Sequence, residues 1–78
     1  MVDKPEYRDH NGAVLRLNDH VDRAGGEYHF PGRILALYVS AKGGTYAVVE
    51  MDTYRLQHIF RTDMLVLRRR EGTDVGIT

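Results

Sequence analysis

Four histidines, His10, His20, His29 and His58, are the chain's most versatile candidates for chemistry, because imidazole titrates near neutrality and is the commonest protein ligand for zinc. Their spacings match no standard metal motif. There is no HExxH, no CxxC and no histidine pair at helical i, i+4 spacing, so the sequence predicts no metal site. Nucleophilic catalysis has as little support, since no GxSxG elbow or SxxK pairing prepares a serine or threonine for attack. The glycine pairs Gly25-Gly26 and Gly43-Gly44 lack the frames that cradle phosphates and read as turns. Glu50 and Asp52 share a strand face if the strand persists through them, but a hairpin end accounts for both. The run Arg68-Arg69-Arg70 is able to touch phosphates, though three arginines at the end of a fold more often form a solvated edge that blocks strand-to-strand aggregation. What remains is Leu56-Gln57-His58-Ile59-Phe60 together with Arg23. There polar, aromatic and aliphatic groups interleave, as on a surface that hydrogen-bonds ring edges while stacking on ring faces. A half-exposed strand with His58 partly buried gives the same pattern.

The elements that must position these groups are short. Seventy-eight residues form one domain, and a domain of this size buries only about 60% of the surface its unfolded chain exposes, so its core is thin. No cysteine is present, which removes disulfides and thiolate metal sites and points to a reducing, cytoplasmic setting. Eleven basic against eleven acidic side chains give a formal net charge of zero, so nucleic acid is not the expected partner. No apolar stretch approaches the roughly 18 residues of a membrane span, and the N-terminus lacks the pattern of a signal peptide, so no membrane association is expected.

Apolar residues come in short runs divided by turn signals, the spacing of an all-β barrel. Residues 14–17 precede the polar turn Asn18-Asp19-His20, and Val21 opens a stretch broken at Gly25-Gly26. Residues 28–30 meet Pro31-Gly32, read as a turn, and 33–39 and 45–51 are the two strands of a hairpin. Asp52-Thr53 is the next turn. Residues 54–60 alternate, with Leu56, His58 and Phe60 on one face and Gln57 and Ile59 on the other. Thr62 or Asp63 caps one helical turn before a last strand at 64–67. The expected architecture is a small five-stranded SH3-like barrel over residues 13–70, with mobile tails at 1–12 and 71–78. Residues 34–39 and 46–51 are apolar on both faces, so something must cover the second face, and a partner subunit is the expected cover.

In order and spacing, residues 18–67 resemble the type II, plasmid-borne dihydrofolate reductases, short chains with an SH3-like barrel. Asn18-Asp19-His20-Val21-Asp22-Arg23 resembles that family's GDRVRKK opening, and the segment from Phe30 to Tyr38 resembles WQGQIVGWY. Tyr46-Ala47-Val48 resembles its GYAVES strand, and from Tyr46 to Phe60 the register to the VQIY signature needs no gap. The resemblance implies a homotetramer around a central pore, where NADPH passes a hydride to dihydrofolate, and with it growth under trimethoprim. By position, Gln57, His58, Ile59 and Phe60 occupy the signature, and Arg23 falls at or next to a lysine that attracts the anionic tails of both ligands. His58 is then the pore-centre stacking residue, Ile59 reads the rings through its backbone, and Phe60 packs below them. Catalysis in such a site is mainly proximity and orientation, with no dedicated protein acid or base. His58 stands where the family has glutamine and Phe60 where it has tyrosine, so a hydroxyl donor is exchanged for a titratable ring.

Two other readings share the fold. One is a non-catalytic SH3-like module of a phage or mobile element, with Tyr28, Phe30, Tyr38 and Tyr54 as an aromatic groove for peptide or protein. The other is nucleic-acid binding through Arg55, Arg61 and residues 68–70.

Overall fold

The computed structural model of the chain describes residues 5–70. Five strands form one antiparallel sheet: β1 (His20–Arg23), β2 (Gly32–Val39), β3 (Thr45–Met51), β4 (Gln57–Arg61) and β5 (Leu65–Arg69). Their order is β4-β3-β2-β1-β5, and a single 3-10 turn, Thr62–Met64, links the two edge strands. No α-helix occurs among the described residues. The all-β expectation holds.

The β2–β3 hairpin forms where valine, tyrosine and threonine favour the extended backbone on both sides of a glycine-bearing turn. Ser40 closes that turn, its amide donating to the Gly44 carbonyl (2.8 Å) and its hydroxyl accepting from the Gly44 amide (3.1 Å), while Gly43 takes up φ 93°. A bulge in β2 between Ile34 and Ala36 re-aims the second half of the strand, so that Leu37 rejoins Ile34 on the core side. The core is Leu15, Val21, Phe30, Ile34, Ala47, Val49 and Leu65, with Tyr7, Leu37, Met51, Phe60 and Leu67 packed against it.

Several local expectations are corrected. Residues 14–17 form no strand, only the isolated bridge between Arg8 and Val14, yet Leu15 is buried because the Tyr7 carbonyl fixes its amide at 2.6 Å. Pro31-Gly32 is not a turn: Gly32 opens β2, paired with Met51 on one side and Val21 on the other. A Cβ there would lie 2.9 Å from Val49 Cγ1 and 2.8 Å from the Glu50 carbonyl carbon, so close strand approach, not turn geometry, requires the glycine. The 3-10 turn has no side-chain cap, since the Thr62 hydroxyl bonds the Thr45 hydroxyl across the sheet at 2.6 Å.

Residues 5–12, expected as part of a tail, are tied to the sheet. The Asp9 carboxylate, only 5% exposed, accepts from the amides of Asn11 (2.9 Å), Ala13 (2.7 Å) and Leu67 (2.8 Å), and the His10 amide donates to the Leu65 carbonyl (2.8 Å). A carboxylate thus stands in for the carbonyls of a missing sixth strand and covers the open edge of β5. The tail expected at 71–78 lies outside the described residues.

Arg70 closes the same end. Its guanidinium donates to both oxygens of the fully buried Asp19 (3.0 Å each) and to the Val14 carbonyl (2.6 Å). The bond to Asp19 raises the arginine's pKa, outweighing its partial desolvation. The three consecutive arginines therefore part company: Arg68 and Arg69 face solvent and Arg70 is structural.

Candidate functional site

Cross-strand pairing decides which side of β4 each predicted residue occupies. His58 sits opposite Val49 and Phe60 opposite Ala47, and both of those partners are fully buried; Phe60 packs against the core, while His58 shares its face but stays exposed. Gln57 opposite Glu50 and Ile59 opposite Val48 turn outward, and Ile59 is 58% exposed. The alternation read from the sequence is correct. The signature residues consequently separate into two pairs on opposite faces of one chain.

His58 and Phe60 meet a third ring. Phe30, from the connection between β1 and β2, stacks on His58 with centroids 5.1 Å apart and planes inclined by 29°, and meets Phe60 edge-on at 5.1 Å. Arg23, Tyr28, His29 and Met51 complete a groove of about 250 Å³ around them. Three of the five predicted residues, Arg23, His58 and Phe60, are brought together there, while Gln57 and Ile59 are not.

Asp22 builds this groove. Its Oδ1 accepts from the amides of Phe30 (2.6 Å) and Arg23 (2.7 Å), and its Oδ2 lies 3.1 Å from His29 Nδ1. These bonds fold the β1–β2 connection back so that Phe30 enters the core beside β4. Burial pushes the Asp22 carboxyl upward, but the two amides and His29 outweigh it, and its pKa falls below the ordinary aspartate range. Phe30 is read from the sequence as part of the aromatic groove and not with Arg23 and His58, and Asp22 is in neither predicted site. The signal for Asp22 is only a charge adjacent to Arg23.

Arg23 is the anomaly. Its guanidinium lies beneath the Gly25-Gly26 turn, with Nη2 3.3 Å from where a Cβ on Gly26 would stand, and Nε is buried with no hydrogen-bond partner. A buried charged donor without an acceptor is costly to the fold, and it is the outer nitrogens of the same guanidinium that can meet a ligand in the groove. Arg23 is thus a fixed donor at the lip of an aromatic floor.

The remaining rings lie elsewhere. Tyr38 and Tyr46 stack on the outer face of the sheet (5.5 Å, 15°), and Tyr54 projects into solvent from the β3–β4 turn, so only Tyr28 and Phe30 of the four-residue aromatic groove read from the sequence share one site. Among the described residues, no three histidine, aspartate or glutamate side chains gather as a metal cluster, and no helix is long and apolar enough to cross a membrane. Comparison of the chain with protein-family models, curated proteins and solved structures finds no match.

Proposed function

We propose that the chain is a binding module on an SH3-like barrel, and that the Arg23–Phe30–His58–Phe60 groove takes one aromatic or aliphatic side chain of a partner protein with a carboxylate beside it. Closure into a barrel is part of this reading. It is supported by the two edge strands being consecutive in sequence and joined by only the Thr62–Met64 turn, which requires the sheet to curl. The observation that carries the function is the Arg23 side chain lining one groove with three clustered rings. The rings desolvate an apolar group, and the guanidinium supplies a charge-assisted bond that fixes its orientation. Selection of a random peptide library on the immobilised chain tests this. Enriched peptides are expected to carry an aromatic residue next to an acidic one and to bind Arg23→Met about tenfold or more weakly. Enrichment of sequences indifferent to both Arg23→Met and His58→Ala would refute it.

The second reading is the NADPH-dependent reduction of dihydrofolate in the pore of a homotetramer, favoured by the convergence of Arg23 with His58 and Phe60. A groove of about 250 Å³ falls below the ~300–1,000 Å³ typical of small-molecule sites. It fits a single ring, so juxtaposing nicotinamide and pterin requires several copies to pool their grooves. The exposed Ile59, Tyr38 and Val39 on and beside the outer sheet face offer surface for such contacts. A tetrameric mass in solution with NADPH oxidation on adding dihydrofolate would establish this reading over the first; a monomer without turnover removes it.

A further inference from the structure

A second cavity, of about 410 Å³, opens on the outer side of the sheet. Strand pairing lays one row of side chains across its full width: Arg69 opposite His20, His20 opposite Arg33, Arg33 opposite Glu50, and Glu50 opposite Gln57. Strands in a sheet are about 4.8 Å apart, so Arg33 and Arg69 stand about 10 Å from each other across His20, a spacing that an anion seated between them bridges. Asp52 and Arg55, from the β3–β4 turn, complete the cleft.

The charges in this cleft are not mutually satisfied. Arg33 reaches Glu50 at 3.9 Å, which occupies that pair. Among the described residues, the side chains of Arg55 and Arg69 make no hydrogen bond or ion pair, leaving two guanidiniums against the single carboxylate of Asp52. Arg55 also holds φ 58°, a left-handed conformation that glycine or asparagine adopts more cheaply. Its amide closes the β3–β4 turn on the Met51 carbonyl (3.1 Å), which places a long cationic side chain in the lining of this cleft.

We infer that this cleft is a phosphate-binding site, in which the arginines that line it, Arg55 and Arg69 with Arg33 between Arg69 and Glu50, supply the donors. Arginine suits this because its donors match phosphate geometry in pairs. Asp52 and Glu50 in the lining keep the site from attracting dense polyanions, so a single mono- or diester group is preferred over a long phosphate track. The site stands apart from the Arg23 groove, with Met51 lining both and separating them.

Titration of the full chain with inorganic pyrophosphate, and separately with a six-nucleotide thymidine strand, followed by amide and arginine Nε NMR shifts against chloride at matched ionic strength, tests the inference. Saturable shifts centred on His20, Arg33, Arg55 and Arg69 are expected, with Arg69→Gln and Arg55→Gly each weakening binding about tenfold. Arg61→Gln, on the same face but outside the cleft, and His58→Ala, in the groove, are expected to leave the affinity unchanged, so failure of the groove reading does not register here. Binding of pyrophosphate without the oligonucleotide identifies a free or nucleotide phosphate as the ligand; binding of both admits a nucleic-acid backbone. Shifts spread over all exposed arginines, matched by chloride or insensitive to both cleft variants, would overturn the site.

Discussion

Replacing Arg23 by methionine is expected to make the protein more stable while removing its binding function. The arginine's Nε is buried without an acceptor, an arrangement that costs about 1–3 kcal/mol. Methionine follows the same path under the Gly25-Gly26 turn, fills the space of the aliphatic stem, and adds a polarizable sulfur beside Phe30, His58 and Phe60. Against this stands the loss of the packing that the longer arginine side chain provides under the turn. The net gain is about 1 kcal/mol, which in a domain of this length raises Tm by roughly 4–8 °C. Urea unfolding followed by circular dichroism reads the change as a higher midpoint at unchanged m-value. Arg23→Lys separates charge from geometry: a methylene replaces the buried Nε while the ammonium reaches solvent on a flexible stem, so stability rises as in Arg23→Met while oriented recognition of a carboxylate is lost. A loss of about 1 kcal/mol or more in Arg23→Met would mean that the guanidinium is a structural strut, and the groove would lose its principal claim to a ligand.

The remaining predictions concern how the site is held. Asp9→Ala strips three backbone amides of their acceptor and should cost about 3–5 kcal/mol, a large part of the roughly 4–12 kcal/mol expected of a 78-residue chain; hydrogen exchange at the Leu67 amide should accelerate, and unchanged exchange would show that the β5 edge is protected otherwise. Asp22 carries a lowered folded pKa, so its contribution is present above its unfolded value of about 3.9 and is lost as pH falls through the folded value. Asp22→Asn should therefore flatten the acid limb of stability below about pH 4, and an acid limb identical to wild type would refute that assignment. Gly32→Ala should lower stability by about 2 kcal/mol or more, because the new methyl meets the Glu50 backbone, which cannot yield; a urea midpoint within error of wild type would show that β2 and β3 separate easily.

Strand alternation was legible wherever the chain carried β-branched and aromatic runs: the 45–51 strand is found at its expected bounds, 33–39 within one residue, and the faces of His58 and Phe60 against Gln57 and Ile59 came out as read. Long-range polar contacts were not legible, because no local pattern distinguishes a buried aspartate from a turn aspartate. Asp19 lies in a polar stretch read as a turn and is fully buried only because Arg70, 51 residues later, returns to it. Asp9 looked like part of a charged tail for the same reason: its third partner, Leu67, is 58 residues away. Pro31-Gly32 misled in the other direction. Its turn chemistry is real, but the glycine answers a close approach of two strands, which a single stretch of sequence does not display.

Most of this chain obeys local rules, and its departures from them are not scattered. The orphaned Nε of Arg23, the left-handed Arg55 and the placing of Arg69 and Arg33 on either side of His20 each violate a separate preference, for satisfied buried donors, for glycine at positive φ, and against like charges on neighbouring strands. All three border cavities that share Met51 as a wall. The other non-glycine residue at positive φ, Asn18, is of the type that tolerates it, and its amide bonds the Ile34 carbonyl at 2.9 Å, so it is an ordinary turn residue. Structural needs explain Asp9, Asp19 and Gly32 fully and leave nothing for a ligand to satisfy. The Arg55 backbone has a turn bond of the same kind, to the Met51 carbonyl, but no such account covers the Arg23 Nε or the side chains of Arg55 and Arg69, and polar groups left over in this way are what ligand recognition leaves behind in an otherwise consistent fold.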